Sequence, residues 1–134
     1  MKKLVEKTIS RIKREPYRLD PAMTSADLAI ILKDKGLQVL RGFWKGLFFG
    51  RKSGIAFIGK RVTIRHAKHI RAEGGLTIGD GVYINALSKD GITLGDNVSI
   101  GAGSVIECTG VIRELGDGVR IGSHVGFAQN AFIA

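Results

Sequence analysis

The sequence predicts a mainly β solenoid preceded by a basic, amphipathic helical segment. One five-residue phrase occurs four times: an aliphatic residue, Gly, a polar residue, a polar residue or Gly, and Val. Its copies occupy residues 58–62, 78–82, 94–98 and 115–119 and begin 20, 16 and 21 positions apart. A further Ile lies six positions after the first residue of each copy, at Ile64, Ile84, Ile100 and Ile121. Self-similarity at a period of about 20 residues is typical of architectures in which each repeat adds one layer.

Composition divides the chain into two parts. Residues 1–52 hold 13 Lys and Arg against 5 Asp and Glu, whereas residues 53–134 hold 8 against 7. Glycine is distributed the opposite way, with 4 in the first part and 15 in the second. We therefore predict a basic amphipathic helical segment over 1–52 and a solenoid domain over 53–134.

Several features indicate a cytoplasmic protein. The single cysteine, Cys108, excludes an internal disulfide, which suits a reducing compartment. The start of the chain is too charged for the apolar region of a signal peptide. No stretch approaches the roughly 20 apolar residues of a membrane span.

The basic segment contains two helical patterns. Apolar residues recur at helical spacing within residues 4–12, and Pro16 ends that pattern. Residues 24–27, Thr-Ser-Ala-Asp, resemble a helix N-terminus. From Leu37 onward one face carries Leu40, Phe43, Trp44, Leu47 and Phe48, and the opposite face carries Gln38, Arg41 and Lys45. Gly42 and Gly46 each weaken a helix by roughly 1 kcal/mol relative to Ala, so tertiary contacts must hold this segment.

Two compatible interpretations account for residues 37–48. The helix packs on the end of the solenoid and covers its open strand edge. Alternatively or in addition, its aromatic and basic residues make peripheral contact with an anionic membrane. Nucleic-acid binding is a third interpretation of a basic segment, but no nucleic-acid fold signature accompanies the charge.

In the solenoid, each aliphatic residue should point inward, the following Gly should allow a tight turn, and the polar pair should face water. Three such units make one triangular coil, and coils stack at the ~4.8 Å spacing of neighbouring strands. Residues 100–105 and 121–126 continue the six-residue spacing of aliphatic residues without interruption. This spacing is interrupted at residues 88–91 and 108–110, which we predict to be loops projecting from corners.

These repeats resemble the bacterial hexapeptide-repeat acyltransferase family, and residues 41–54 resemble the lead-in of its polysaccharide and sugar O-acetyltransferases. The resemblance implies a left-handed parallel β-helix, here of about four coils. It also implies acetyl-CoA as donor substrate without a metal, and a sugar or lipid-linked saccharide as acceptor in cell-surface polysaccharide biosynthesis. Most members of the family assemble as homotrimers with active sites between neighbouring prisms, so the resemblance implies a homotrimer here. The resemblance would place this protein in the cytoplasm, with peripheral contact to the inner membrane.

Acetyl transfer to a hydroxyl needs a base for the hydroxyl proton and donors for the thioester oxygen. In the family that base is a His. We expect His66, His69 and His124 to be exposed turn residues, and residues 106–111, which match a His-bearing segment of related enzymes, contain no His. No catalytic residue is therefore assigned, and the base is expected beyond Ala134. The apolar stretch 127–134 has no polar cap, so the chain is expected to be a C-terminally truncated, inactive form.

Asn85 and Cys108 also bear on the site. Asn85 resembles an Asn that presents to the acceptor in sugar acetyltransferases; the alternative is an Asn that relieves strain at a corner with positive φ. Cys108 is not expected to act as a nucleophile, because no covalent intermediate is implied and no His lies nearby in sequence.

Two other functions stay open at this point. A carbonic-anhydrase-like metalloenzyme would need three His converging on one groove, whereas His69 and His124 are separated by 55 positions, close to three coils. A non-catalytic β-helix scaffold would use the solenoid only for assembly.

Overall fold

The computed structural model describes residues 2–13, 22–110 and 112–134. The chain forms two compact units, Met1–Leu37 and Gln38–Ala134. The predicted helix end at Pro16 lies outside the described residues.

Two helices occupy the N-terminal segment. Helix α1 spans Lys2–Lys13, as the spacing predicted, with Val5 buried and Leu4 exposed. Helix α2 spans Ser25–Gly46 and begins where the sequence indicated. Thr24 and Asp27 cap its first turn reciprocally: the Asp27 amide donates to Thr24 Oγ1 (3.1 Å), and the Thr24 amide donates to Asp27 Oδ2 (3.4 Å). This pairing satisfies amides that a helix N-terminus leaves without partners.

Twelve short strands follow α2 within the described residues. They are β1 Arg51–Lys52, β2 Ala56–Ile58, β3 Thr63–Arg65, β4 Ile70–Ala72, β5 Leu76–Ile78, β6 Tyr83–Asn85, β7 Ile92–Leu94, β8 Val98–Ile100, β9 Val105–Glu107, β10 Val119–Ile121, β11 Gly126–Phe127 and β12 Phe132–Ile133. A 3-10 turn, Ala67–His69, lies between β3 and β4.

The strands form three parallel four-stranded sheets. Face 1 contains β1, β4, β7 and β10; face 2 contains β2, β5, β8 and β11; face 3 contains β3, β6, β9 and β12. Each strand is therefore followed by a strand of the next face, and every third strand stacks on the same sheet. Parallel strands in this rotation are the arrangement of a parallel β-helix. We call β1–β3 with their corners the first coil, and number the later coils in the same way.

The interior confirms the predicted inward orientation of the aliphatic residue that begins each of the first three phrase copies, whereas Leu115, which begins the fourth, lies in the connection 108–118 and is not among the core residues. Equivalent positions lie in register from coil to coil: Ile64 pairs with Ile84, and Ile84 pairs with Ile106. Ile84 and Ile106 are fully buried, and Ile64 packs against the same core. Three of the four phrase copies begin at the last residue of a strand, so their Gly and polar residues form the following corner.

Polar side chains connect the corners of successive coils. Asp80 Oδ1 accepts the amide of Lys60, and Asp96 Oδ1 accepts the amide of Gly75, each at 2.8 Å. The second polar position of the phrase adopts the left-handed conformation at Arg61 (φ 56°) and Asn97 (φ 56°). The polar pair of the phrase therefore both turns the chain and ties one coil to the next.

The C-terminal end of α2 covers the strand edge of the first coil. The contact uses the face that carries glycine and basic residues, whereas the large apolar side chains are exposed. A Cβ on Gly42 would lie 1.9 Å from the Ala56 carbonyl oxygen. Arg41 Nη1 donates to the Ile58 carbonyl (3.3 Å) and Lys45 Nζ to the Val62 carbonyl (3.1 Å). These bonds satisfy carbonyl groups at the edge of the first coil, which would otherwise be open to another strand.

Candidate functional site

Irregular chain length is concentrated at one corner of the β-helix, between face 3 and face 1. The connections there contain 4, 6 and 11 residues, at 66–69, 86–91 and 108–118. The connections at the other two corners contain three or four residues. We call this edge of the molecule the long corner. Because the strands keep a fixed register, extra residues can be accommodated only between them, and here they share one edge.

The loops of the long corner stack on one another through their backbones. The amide of Lys89 donates to the carbonyl of Gly116 (2.9 Å), and the amide of Asp90 donates to that of Asp117 (2.7 Å). The amide of Val119 in turn donates to Gly91 (3.1 Å). The loops of the second and third coils are therefore ordered by pairing of the kind that joins strands.

Two buried hydroxyl groups hold these loops from within. Ser88 Oγ donates to the Ala86 carbonyl (3.1 Å) and accepts the amide of Gly91 (3.0 Å). Thr109 Oγ1 donates to the Leu87 carbonyl and accepts the amide of Gly116. The prediction of loops at 88–91 and 108–110 is confirmed, but Ser88 and Thr109 are buried instead of projecting into water. A hydroxyl can be buried at little cost once it both donates and accepts.

An open groove of about 460 Å³ lies on face 1 beside these loops. Its lining residues are Arg71, Lys89, Asp90, Gly91, Thr93, Asp117, Gly118, Val119 and Arg120. Arg71, Thr93 and Arg120 pair in register on β4, β7 and β10, so they form one outward row. At the strand spacing of about 4.8 Å, the two arginines are separated by roughly 10 Å, with the Thr93 side chain between them.

The charges of the groove suit an anionic group. Arg71, Lys89 and Arg120 are cationic, and Asp90 and Asp117 are the two carboxylates of the lining. Lys89 Nζ lies 3.8 Å from Asp117 Oδ1, but both side chains are well exposed, so the pair contributes little to stability. Two guanidinium groups can each donate paired hydrogen bonds to phosphate or carboxylate oxygens, which makes the row of arginines the chemically distinctive part of the groove.

The three histidines lie at two different corners. His66 (φ 58°) and His69 are at the long corner, with ring centroids 6.4 Å apart. His124 is at the corner between face 1 and face 2, where its Nδ1 lies 3.2 Å from Asn97 Nδ2. As predicted, all three lie in turns; His66 and His124 are exposed, whereas His69 is half-buried. Within residues 2–13, 22–110 and 112–134, no three His, Cys, Asp or Glu side chains are grouped to hold a metal ion.

His69 is the histidine that lies against the groove. Gly91, which lines the groove, packs so closely on His69 that a Cβ there would lie 2.3 Å from the His69 carbonyl oxygen. Gly91 also has a positive φ of 77°, so both the close contact and the backbone conformation require glycine at this position. The His69 side chain itself is not part of the groove lining.

Asn85 is not a corner residue, contrary to one of its two predicted roles. It lies in strand β6, outside the set of positive-φ residues, and it is half-buried on the outer side of face 3. Its Nδ2 donates to Glu107 Oε1 (2.6 Å) on the next strand, and its Oδ1 accepts the amide of Leu87 (3.3 Å). Asn85 therefore braces the start of the second loop of the long corner.

Cys108 follows β9 at the same corner and is a free thiol. Burial raises the pKa of this thiol, and the Glu107 carboxylate adds to that increase, whereas a hydrogen bond with Ser88 opposes it. A raised pKa lowers the thiolate fraction at neutral pH, and the thiolate is the nucleophilic form.

Comparison with protein-family models, curated proteins and solved structures gives no match to this chain. The candidate site therefore stands on its own geometry. The groove residues Arg71, Lys89 and Arg120 were not predicted from the sequence. The signal was present: Arg71 and Arg120 each follow the first residue of a strand on face 1, so aligning the coils by their aliphatic residues would have placed them in one row.

Proposed function

We propose that this protein is a left-handed parallel β-helix of about four coils that binds acetyl-CoA and takes part in transferring its acetyl group to a sugar hydroxyl in cell-surface polysaccharide biosynthesis. In that reaction the hydroxyl oxygen bonds to the acetyl carbon, the bond to the CoA sulfur breaks, and the hydroxyl proton passes to a base.

The observation that carries the proposal is the combination of the repeat with the basic groove. Strands in threefold rotation, of which β2 to β10 each contribute aliphatic residues to one column, agree with the prism that the repeat implies. Acetyl-CoA carries several phosphate groups, and the row of Arg71 and Arg120 offers two separated guanidinium groups to them. No described histidine lines the groove, so the base is not assigned to any of these residues.

The test is calorimetric titration of the purified protein with acetyl-CoA. We expect saturable binding that weakens about tenfold in Arg71→Gln and in Arg120→Gln, because each loses one charge-assisted contact. Arg61→Gln is the matched control, since Arg61 is exposed and turns the corner between faces 2 and 3. Absence of binding, or equal affinity in all three variants, would reject the groove as the donor site.

Transfer itself is measured separately. Incubation with acetyl-CoA and a panel of sugars, followed by mass spectrometry, should reveal an added acetyl group on an acceptor. We also propose a homotrimer, to be measured by light scattering after size-exclusion chromatography. A monomer that nevertheless transfers acetyl would leave the activity intact and overturn the trimer.

A non-catalytic scaffold is the second candidate, and the lack of a histidine among the groove's lining residues favours it. A scaffold would neither bind acetyl-CoA in the titration nor consume it with any acceptor. Binding without turnover would support a donor site that lacks a base.

A further inference from the structure

The end of α2 exposes a continuous set of large apolar side chains. Leu40, Phe43, Trp44, Leu47 and Phe48 are each between 55% and 70% exposed. They lie within nine consecutive residues, which cover about 9 Å of helix length up to Gly46 and the turn that follows it. We call them the aromatic face. An exposed apolar set of this size marks an interaction surface.

The aromatic face cannot be buried by rotation of its own helix. The opposite side is fixed on the first coil by the close approach of Gly42 to Ala56 and by the bonds from Arg41 and Lys45 to strand-edge carbonyls. Turning the aromatic face inward would break both bonds and place bulky rings where only a glycine fits. The aromatic face can therefore be covered only by a group other than the first coil.

The stretch of chain that carries the aromatic face and the first coil has charges of one sign only. From residue 35 to residue 72 the sequence contains ten Lys and Arg and no Asp or Glu. This stretch includes the end of α2 and the whole first coil, where Lys60, Arg61, Arg65 and Lys68 are exposed. Basic residues that lie within a Debye length of an anionic surface are attracted to it, and the effect falls as salt is added.

We propose that the aromatic face docks on the surface of a lipid bilayer that contains anionic lipids, with the basic first coil next to the headgroups. Trp and Phe side chains are suited to the interfacial layer, and an amphipathic helix lying there inserts its apolar side by about 5–10 Å. Within the described residues, no helix is long and apolar enough to cross a bilayer. This inference does not depend on acetyl transfer.

A second copy of the chain is a poorer occupant. Pairing two aromatic faces would also bring two first coils of like charge together, which disfavours association. An anionic bilayer satisfies the apolar and the charged requirements together.

Vesicle binding tests the proposal. Trp44 is the only tryptophan, so its fluorescence reports insertion directly. Titration with vesicles containing about a third phosphatidylserine should shift the emission to shorter wavelength, with affinity at least about tenfold higher than for phosphatidylcholine alone. High salt should reduce that difference.

Matched variants distinguish binding through the aromatic face from non-specific hydrophobic adsorption to vesicles. Phe48→Gln should weaken vesicle affinity about tenfold or more, whereas Phe132→Gln should leave it unchanged; both side chains are 70% exposed, and Phe132 lies on the last coil. Arg61→Gln should weaken binding more than Arg120→Gln. Equal effects within each pair, equal binding to neutral vesicles, or no binding would overturn the proposal. Self-association that Phe48→Gln abolishes, measured by sedimentation, would assign the face to a second copy instead.

Discussion

Replacing Gly42 with Ala should destabilise the protein, although the same change at Gly36 in the same helix should stabilise it. In a helix interior Ala is favoured over Gly by about 1 kcal/mol. At Gly42, however, the new methyl group would lie 1.9 Å from the carbonyl oxygen and 2.7 Å from the carbonyl carbon of Ala56. Those are backbone atoms and cannot rotate aside, so the helix must retreat by roughly 1.5 Å to reach ordinary van der Waals separation.

The retreat has a cost that can be set against the gain in helix propensity. It lengthens the bonds from Arg41 to Ile58 (3.3 Å) and from Lys45 to Val62 (3.1 Å), which are already long. Overpacking costs about 1–3 kcal/mol, and each lost hydrogen bond to a charged group adds a further contribution, reduced here because both side chains are partly exposed. The net expectation for Gly42→Ala is a loss of about 2 kcal/mol in the free energy of unfolding.

Urea denaturation followed by circular dichroism measures both variants. Gly36→Ala is the matched control, since a Cβ at Gly36 meets nothing within 4 Å, and its midpoint should rise by the equivalent of up to about 1 kcal/mol. If Gly42→Ala unfolds at the wild-type midpoint or above it, the close contact between α2 and the first coil does not exist as described.

Three further changes test other parts of the molecule. Ile106→Ala should lower the free energy of unfolding by about 2–4 kcal/mol, whereas Ser99→Ala, at an outward-facing position, should change it by less than about 0.5 kcal/mol. Similar shifts of the two variants in thermal unfolding would contradict the packing of aliphatic side chains inside the coils. Alkylation of Cys108 by iodoacetamide should be slower than that of free cysteine at the same pH, and a rate equal to or above it would contradict the raised pKa. Because the pKa of the Cys108 thiol is higher in the folded than in the unfolded state, the stability that this thiol contributes is fully present below the unfolded pKa. That stability is lost as pH rises through the folded pKa. Cys108→Ala should remove this part of the pH dependence of stability. Arg61→Asn should raise the free energy of unfolding by up to about 1 kcal/mol, and with it the melting temperature, because Asn tolerates the φ of 56° better than Arg does. A lower melting temperature would show that the backbone at Arg61 is not strained.

The periodic part of the fold was predictable because one physical requirement repeats in every coil. The strands from β2 to β10 each place aliphatic side chains on the inside, so the spacing of Ile and Leu predicts where these strands end and which residues turn. The start of α2 was predictable for a similar reason, since Thr24 and Asp27 form a local pair that needs no tertiary contact. Short-range patterns of this kind are fully contained in the sequence.

The packing of α2 was harder to predict because two physical preferences point in opposite directions. Hydrophobic periodicity favours burying Phe43 and Phe48, yet the helix packs through Gly42, where the absence of a side chain allows backbone to approach backbone. The cations on that side then reach the strand-edge carbonyls. Satisfying backbone groups took precedence over burying rings, and sequence periodicity does not weigh those two terms against each other.

The groove was missed because its residues come from positions far apart in the chain. Arg71, Thr93 and Arg120 are brought into one row by the register of three parallel strands. That register depends on the lengths of the intervening loops, and the connection before β10 alone contains 11 residues. A motif search within one stretch of sequence cannot detect such a row, whereas an alignment of coils can.

The position of the groove follows from the same constraint that makes the coils regular. A coil of fixed strand length leaves no room for variation along its faces, because a shift of one residue would turn an inward aliphatic side chain outward. Extra residues therefore collect at a corner, and at the long corner the hydroxyls of Ser88 and Thr109 order them without altering the column inside. Loop side chains such as Lys89 and Asp117 can then differ in chemistry while the strands that hold Arg71 and Arg120 keep their spacing. The parallel β-helix thus separates the residues that form the core from those that line the groove.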